Sequence, residues 1–248
     1  MSTVEVNGIN MYYEIHGDGE PLLIIWGMGG EISTFVDYMD DLDEDYKLIF
    51  FDNRGTGRTD KPDEPYSFEM MAEDTISLMD KLNVESANVL GISMGSRIAL
   101  VMAAKYPERV KSLILNVAAA RSTCSDPQAA CSYEKLYTAM IQLGFLEVMG
   151  GYPPTVESFI MQFEALKTFN GIDLLNEISA PTLIVNSTKD NSTPVKFAEE
   201  LSEGISNSKL ILVEEDHLFI RAKPELLIEP VLEFLEGINP EFSKDISE

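Results

Sequence analysis

The sequence predicts an α/β fold, a mostly parallel central sheet with helices on both faces and one short helical insertion. Three observations carry this. Apolar runs of strand length alternate with stretches of helical spacing through the first half of the chain, the pattern of a sheet covered on both sides. A glycine-flanked serine, Gly91-Ile92-Ser93-Met94-Gly95, falls where one such run gives way to one such helix. The alternation then stops between Ala118 and about Asn170 and resumes afterwards. A chain of 248 residues can build one large core, and neither half alone has strands enough for a sheet. Residues 1–248 therefore read as a single domain, with 118–170 inserted between two parts of the core.

Each element has its own signal. Residues 3–6 and 9–15 meet at Asn7-Gly8, a strong hairpin turn. Residues 22–26 and 46–51 are apolar runs of buried-strand length, with a helix expected over 34–41. Met71, Leu78, Met79 and Leu82 recur at helical spacing over 68–82, behind a capping Ser67 and an acidic Glu69 in the first turn. Residues 87–90 form the next strand, 94–106 a helix stopped by Pro107, and 110–117 another strand. In the insertion, Pro127, Gly144, Gly150, Gly151, Pro153 and Pro154 predict short helical pieces. Strands at 181–185 and 209–213 and helices at 195–203 and 225–235 complete the pattern.

Composition excludes several function classes. Eighteen basic against 42 acidic residues give a formal net charge of −24, which argues against nucleic acid or an anionic membrane as partner. The chain shows no basic, apolar leader and no run of about 20 apolar residues, so it reads as cytoplasmic. Cys124 and Cys131 are the only cysteines and His16 and His217 the only histidines, so neither a disulfide scaffold nor a metal site is expected.

The serine turn carries the chemistry. A serine on a sharp strand-to-helix turn is presented to an incoming group, and the glycines beside it leave room where a Cβ would collide. The plainer reading is a serine that caps the helix. As a nucleophile Ser93 needs a base. His217 follows the strand at 209–213 near the end of the chain, whereas His16 lies in Ile15-His16-Gly17-Asp18-Gly19, which reads as a turn. Asp190, after the strand at 181–185, is placed to orient that base, or else to cap a helix. The loop Gly27-Met28-Gly29-Gly30 and the start of the following helix offer the N–H groups of Met28 and Met94 to a developing oxyanion.

These motifs resemble the α/β-hydrolase family along almost the whole chain. Phe51-Asp52-Asn53-Arg54-Gly55-Thr56-Gly57-Arg58-Thr59-Asp60 is similar to the family's D-x-R-G-x-G-x-S segment, and Ala180-Pro181-Thr182-Leu183-Ile184-Val185 to the A-P-T-L strand ahead of the acid. The order of segments looks most like small-lid carboxylesterases and enol-lactonases. The resemblance implies a triad of Ser93, Asp190 and His217, a lid at 118–170, a small ester or lactone substrate, and no cofactor. Departures exist: Trp26-Gly27 replaces the usual His-Gly, Glu214-Glu215-Asp216 stands where Gly-x-Gly is common, and Ser96 replaces a frequent glycine.

The candidate substrate-binding residues are Trp26, Arg97, Tyr137, Met140, Phe145 and Phe163. The lid aromatics and methionines either pack onto the sheet or line an apolar pocket for a small or medium acyl group. Arg97, four residues after Ser93, is either a packed arginine or a clamp for a substrate carboxylate. The clamp reading would favour an enol-lactonase or a lyase; a ligand-binding receptor on the same fold is the non-enzymatic alternative.

Overall fold

A computed structural model of the chain describes residues 2–42, 45–124 and 151–238. They contain one eight-stranded sheet: β1 (Ser2–Val6), β2 (Ile9–His16), β3 (Glu20–Ile25), β4 (Tyr46–Phe51), β5 (Ala87–Ile92), β6 (Val110–Asn116), β7 (Thr182–Ser187) and β8 (Ser208–Val213). The spatial order is β1-β2-β4-β3-β5-β6-β7-β8. The β1–β2 and β2–β4 pairs are antiparallel and every other pair is parallel. The first hairpin turns on Asn7 and Gly8, at φ 43° and 79°, the left-handed pair that a two-residue turn between twisted strands requires.

Six helices flank the sheet among the described residues: α1 (Ile32–Phe35), α2 (Phe68–Lys81), α3 (Met94–Lys105), α4 (Val156–Thr168), α5 (Val195–Gly204) and α6 (Glu225–Ile238). Alternate strand residues point to opposite faces, so two cores form. Leu23, Ile25, Val89, Leu113 and Ile184 pack with α2, α3 and α5. Leu22, Ile24, Leu90, Ile114 and Val185 pack with Ile32 of α1 and with Leu227, Val231 and Leu235 of α6. Both faces of β5 and β7 are covered, and all six residues of each are buried. That is why their sequences are nearly unbroken apolar runs.

Three expectations shift. The helix expected at 34–41 is instead α1 followed by a 3₁₀ segment, Val36–Leu42. Met39 and Leu42 are both fully buried, and a three-residue spacing aligns with 3₁₀ rather than α geometry. β5 and β7 run two residues past their apolar cores: Gly91 and Ile92 pair with Leu115 and Asn116, and Asn186 and Ser187 with Leu212 and Val213. β3 starts at Glu20, whose carboxylate meets Lys111 Nζ at 2.7 Å.

The insertion leaves and returns at one point. Gly171 N–H donates to Ala120 C=O at 2.7 Å and Ser122 N–H to Phe169 C=O at 2.8 Å, across an antiparallel bridge between Arg121 and Asn170. Within it, α4 is a 13-residue helix capped by Thr155, longer than the short pieces expected. Tyr137, Met140 and Phe145 lie outside the described residues. Among the described residues no helix is long and apolar enough to cross a membrane.

Candidate active site

Ser93 sits between β5 and α3 at φ 54°, ψ −112°, a left-handed conformation that costs a serine about 1–3 kcal/mol. Close packing holds it there. A Cβ on Gly91 would lie 2.6 Å from Ser96 Cα, and one on Gly95 2.0 Å from Ile25 C=O, so only glycine lets α3 approach β3 and β5. Ser93 N–H donates to Asn116 C=O at 2.9 Å. Its carbonyl accepts from Ser96 N–H at 3.1 Å, Ser96 Oγ at 2.5 Å and Arg97 Nη1 at 3.4 Å. The backbone of Ser93 is therefore pinned on both sides. Its hydroxyl does not cap α3, which removes the plainer reading of this serine.

Ser93 Oγ instead lies 2.9 Å from His217 Nε2, and His217 Nδ1 lies 2.7 Å from Asp190 Oδ2. Asp190 follows β7 and is buried. Its Oδ1 accepts from the N–H groups of Ser192 and Thr193 at 2.6 and 2.9 Å, and its Oδ2 from Thr193 Oγ1 at 2.5 Å. Burial pushes its pKa up, but the His217 charge and the hydrogen bonds from His217 and Thr193 outweigh it, holding the carboxyl below its usual range. A carboxylate only accepts. Neutral His217 therefore carries its proton on Nδ1 and turns the lone pair of Nε2 toward the Ser93 hydroxyl, an arrangement able to take up that proton.

His217 itself is held by the loops after β7 and β8, which are tied by Thr188 N–H to Val213 C=O at 2.8 Å and Lys189 N–H to Glu215 C=O at 3.0 Å. The acids ahead of it are engaged elsewhere. Glu214 meets Lys189 at 3.4 Å, Glu215 pairs with Lys223, and Asp216 Oδ1 accepts from Leu218 N–H. His16 closes β2 rather than sitting in a turn; β4 and β3 separate it from β5, and it faces Glu14 at 3.2 Å.

The Gly27–Gly30 loop passes against the serine: a Cβ on Gly27 would lie 3.3 Å from Ser93 Cβ. The N–H groups of Met28 and Met94 meet no acceptor among the described residues. Met94 heads α3, where the partial positive charge of the helix N-terminus collects.

Two expected pocket residues are packed differently. Trp26 is fully buried, stacked on Phe50 with centroids 5.9 Å apart and planes 1° apart, because its side chain points into the core on the α6 face of the sheet. Arg97 is also fully buried. Its Nη1 and Nη2 face the carbonyls of Ser93 and Arg121 at 3.4 and 3.5 Å, and its Nε meets no acceptor among the described residues. Phe163 on α4 is 9% exposed and packs on the α2–α3 face.

Sequence reasoning passed over Thr193 and Gln162. Thr193 is three residues beyond Asp190, a capping spacing that was there to read. Gln162 is polar but lies on the same helix as buried Phe159, Phe163 and Leu166, and is itself fully buried. No cluster of three or more metal-ligating side chains occurs among the described residues.

Comparison with known proteins matches the family model of the alpha/beta hydrolase fold over residues 20–149. Serine hydrolase BPHL of Mus musculus is 31% identical, over 86% of this chain and 78% of its own. A relative from Azorhizobium caulinodans that bears the provisional name carbamate hydrolase RutD is 28% identical over 93% of this chain and 96% of its own. Among solved structures, an esterase from Exiguobacterium antarcticum superposes with a TM-score of 0.82 at 25% identity, covering 95% of this chain and 99% of that one. With its parallel sheet, its serine turn and these matches, the chain belongs to the α/β-hydrolase family.

Proposed function

We propose that the chain is a serine hydrolase cleaving a carboxylic ester or lactone of small or medium, mainly apolar acyl group through an acyl-enzyme on Ser93. The observation that carries this is the unbroken line from Ser93 Oγ through His217 to buried Asp190, at 2.9 and 2.7 Å. In this reading His217 Nε2 takes the hydroxyl proton as Ser93 Oγ attacks the carbonyl carbon. The oxyanion is met by the N–H groups of Met28 and Met94, in a site where fixed dipoles stabilise charge without reorganising. The proton then passes from Nε2 to the leaving oxygen, and water, activated by the same nitrogen, releases the acid. Asp190 stays ionised throughout, fixing the tautomer and balancing the imidazolium. Residues 118–170 act as a lid over this site, within a single domain.

Relatives named as a serine hydrolase, an esterase and a carbamate hydrolase support hydrolysis more than any particular leaving atom. The competing carboxylate clamp would need Arg97 to reach substrate, and its burial favours a packed role. A fluorophosphonate probe tests the reading: the adduct should map to Ser93, and a panel of esters, lactones and carbamates should then rank neutral esters or lactones first. A properly folded protein that takes no label at Ser93 and turns over no member of the panel overturns it in favour of a binding role.

A further inference from the structure

The insertion and the oxyanion loop are joined by one side chain. Gln162, fully buried on α4, accepts from Gly29 N–H through Oε1 at 3.0 Å and donates to Arg54 C=O through Nε2 at 2.8 Å. One turn earlier on α4, Ser158 Oγ donates to Gly55 C=O at 2.7 Å. The approach is close, since a Cβ on Gly55 would lie 3.2 Å from Ser158 Cβ. Residues four apart share a helix face, so α4 is stapled to the core twice. Only the Gln162 staple touches the loop that carries Met28. Gly29, at φ 70°, is the residue after Met28, and its N–H belongs to the peptide that begins at the Met28 carbonyl. Other restraints on this loop include the Gly30 N–H to Gly27 C=O turn at 3.1 Å and the grip of Asn53 on Trp26 C=O at 3.1 Å.

Resting on the reading of Ser93 as nucleophile, we propose that Gln162 is a positioning residue for the oxyanion site. It fixes the orientation of the Met28 peptides, so that the second oxyanion donor is in place only when α4 is seated on the core. The residue touches neither the serine nor the base. Its effect should appear in stabilisation of the transition state, where a misplacement of about 1 Å costs on the order of 100-fold, and not in ground-state binding.

The test compares hydrolysis of an ester with that of its thionoester, whose sulfur accepts hydrogen bonds weakly, in the full chain. Gln162→Met keeps the volume and removes both bonds; Gln162→Asn keeps the amide but is one methylene too short to span both partners, and serves if the methionine variant does not fold. Ser158→Ala removes the neighbouring staple and leaves the loop alone. In either Gln162 variant kcat for the ester should fall about 10- to 100-fold at nearly constant KM, and the ester-to-thionoester ratio should narrow. Ser158→Ala should lower Tm and leave the ratio intact. Wild-type kcat and ratio in the Gln162 variants, with Tm alone reduced, overturn the proposal, as does an equal narrowing in Ser158→Ala. Both results presuppose a wild type that labels at Ser93; absence of that label overturns the underlying reading instead.

Discussion

Two buried aspartates follow two strands of this sheet, β4 and β7, and behave oppositely. Asp52, after β4, accepts from the N–H groups of Ile32 and Arg58 and faces Arg58 Nε at 3.3 Å. Arg58 also stands 3.4 Å from Glu14 and 3.5 Å from Glu31, with its guanidinium carbon 3.7 Å above the Tyr12 ring. One cation is thus shared among three carboxylates. Burial pushes Asp52 above its ordinary value despite the backbone donors and Arg58, and Glu31 adds to the rise. Asp190 is also buried, yet His217, Thr193 and the Ser192 N–H all face it, and its pKa falls. The lesson is that at similar burial the groups facing a carboxyl decide the direction in which its pKa moves. The Arg58 cluster ties Glu31 and Ile32, at the end of the Gly-rich loop, to the segment after β4, whereas the role proposed for the His217 cluster is to move a proton.

The sharpest break between the two clusters should be kinetic. Ser93→Ala should lower kcat by on the order of 10⁴ or more with little change in KM, with His217→Ala costing as much and the double variant little more. Stopped-assay rates on an ester establish this, and near-wild-type turnover in Ser93→Ala would end the mechanism. Asp190→Asn should follow at about 10³–10⁴, because an amide can hold the wrong tautomer of His217. Asp52→Asn should stay far closer to wild type. Comparable losses in the two asparagine variants would mean the clusters do not divide the work as described.

Stability should divide them the other way. Arg58→Gln leaves buried Asp52 and Glu31 and half-buried Glu14 without their cation and should cost about 3 kcal/mol in chemical denaturation, with kcat affected less than stability. The pH dependence sharpens the contrast. The folded protein holds the Asp52 proton to higher pH than the unfolded chain, whose value is near 3.8, so ionising Asp52 erodes stability as pH rises above that value. Asp190 is depressed below the same value, so its contribution is present above about 3.8 and is lost as pH falls further. Measured as Tm of variant minus wild type, Asp52→Asn should drift upward with pH above 3.8, and Asp190→Asn should drift downward with pH below it. Parallel drifts would contradict the assigned shifts. The smallest effect concerns substrate charge. With a net charge of −24 and Arg97 sealed in the core, a neutral ester should outpace a matched anionic one, and salt should narrow the gap. Arg97→Ala should slow both equally; a selective loss on the anionic ester would put Arg97 in the pocket after all.

Most of this architecture was legible because local patterns and tertiary burial agree. The strand 46–51 is predicted and found with identical bounds, since both of its flanks change character abruptly. What was not legible depends on distant partners. Asn186 and Ser187 look like loop residues until β8 supplies their ladder, and the order β2-β4-β3-β5 has no local trace. The serine turn could be read because its motif is contiguous and falls where a strand pattern gives way to a helix pattern, even though the contact that demands Gly95 comes from distant Ile25. Gln162 could not, because its two partners are more than a hundred residues distant. Trp26, a candidate pocket residue by sequence, packs in the core on the α6 face because successive strand side chains point to opposite faces and both faces here are covered.

The pinned junction at Ala120–Ser122 and Phe169–Gly171 has a consequence for how such a chain can diversify. Two hydrogen bonds of 2.7 and 2.8 Å fix the entry and exit of the intervening segment side by side, so the sheet sees the same two anchor points whatever is strung between them. Doubling the length of a flexible loop between fixed ends costs only about 0.6 kcal/mol. The junction is therefore a socket. A segment of different size and sequence can be exchanged there without re-registering a strand, provided it brings a side chain able to do for Gly29 what Gln162 does. New specificity would then arrive as a cassette, with the chemistry beneath it inherited whole.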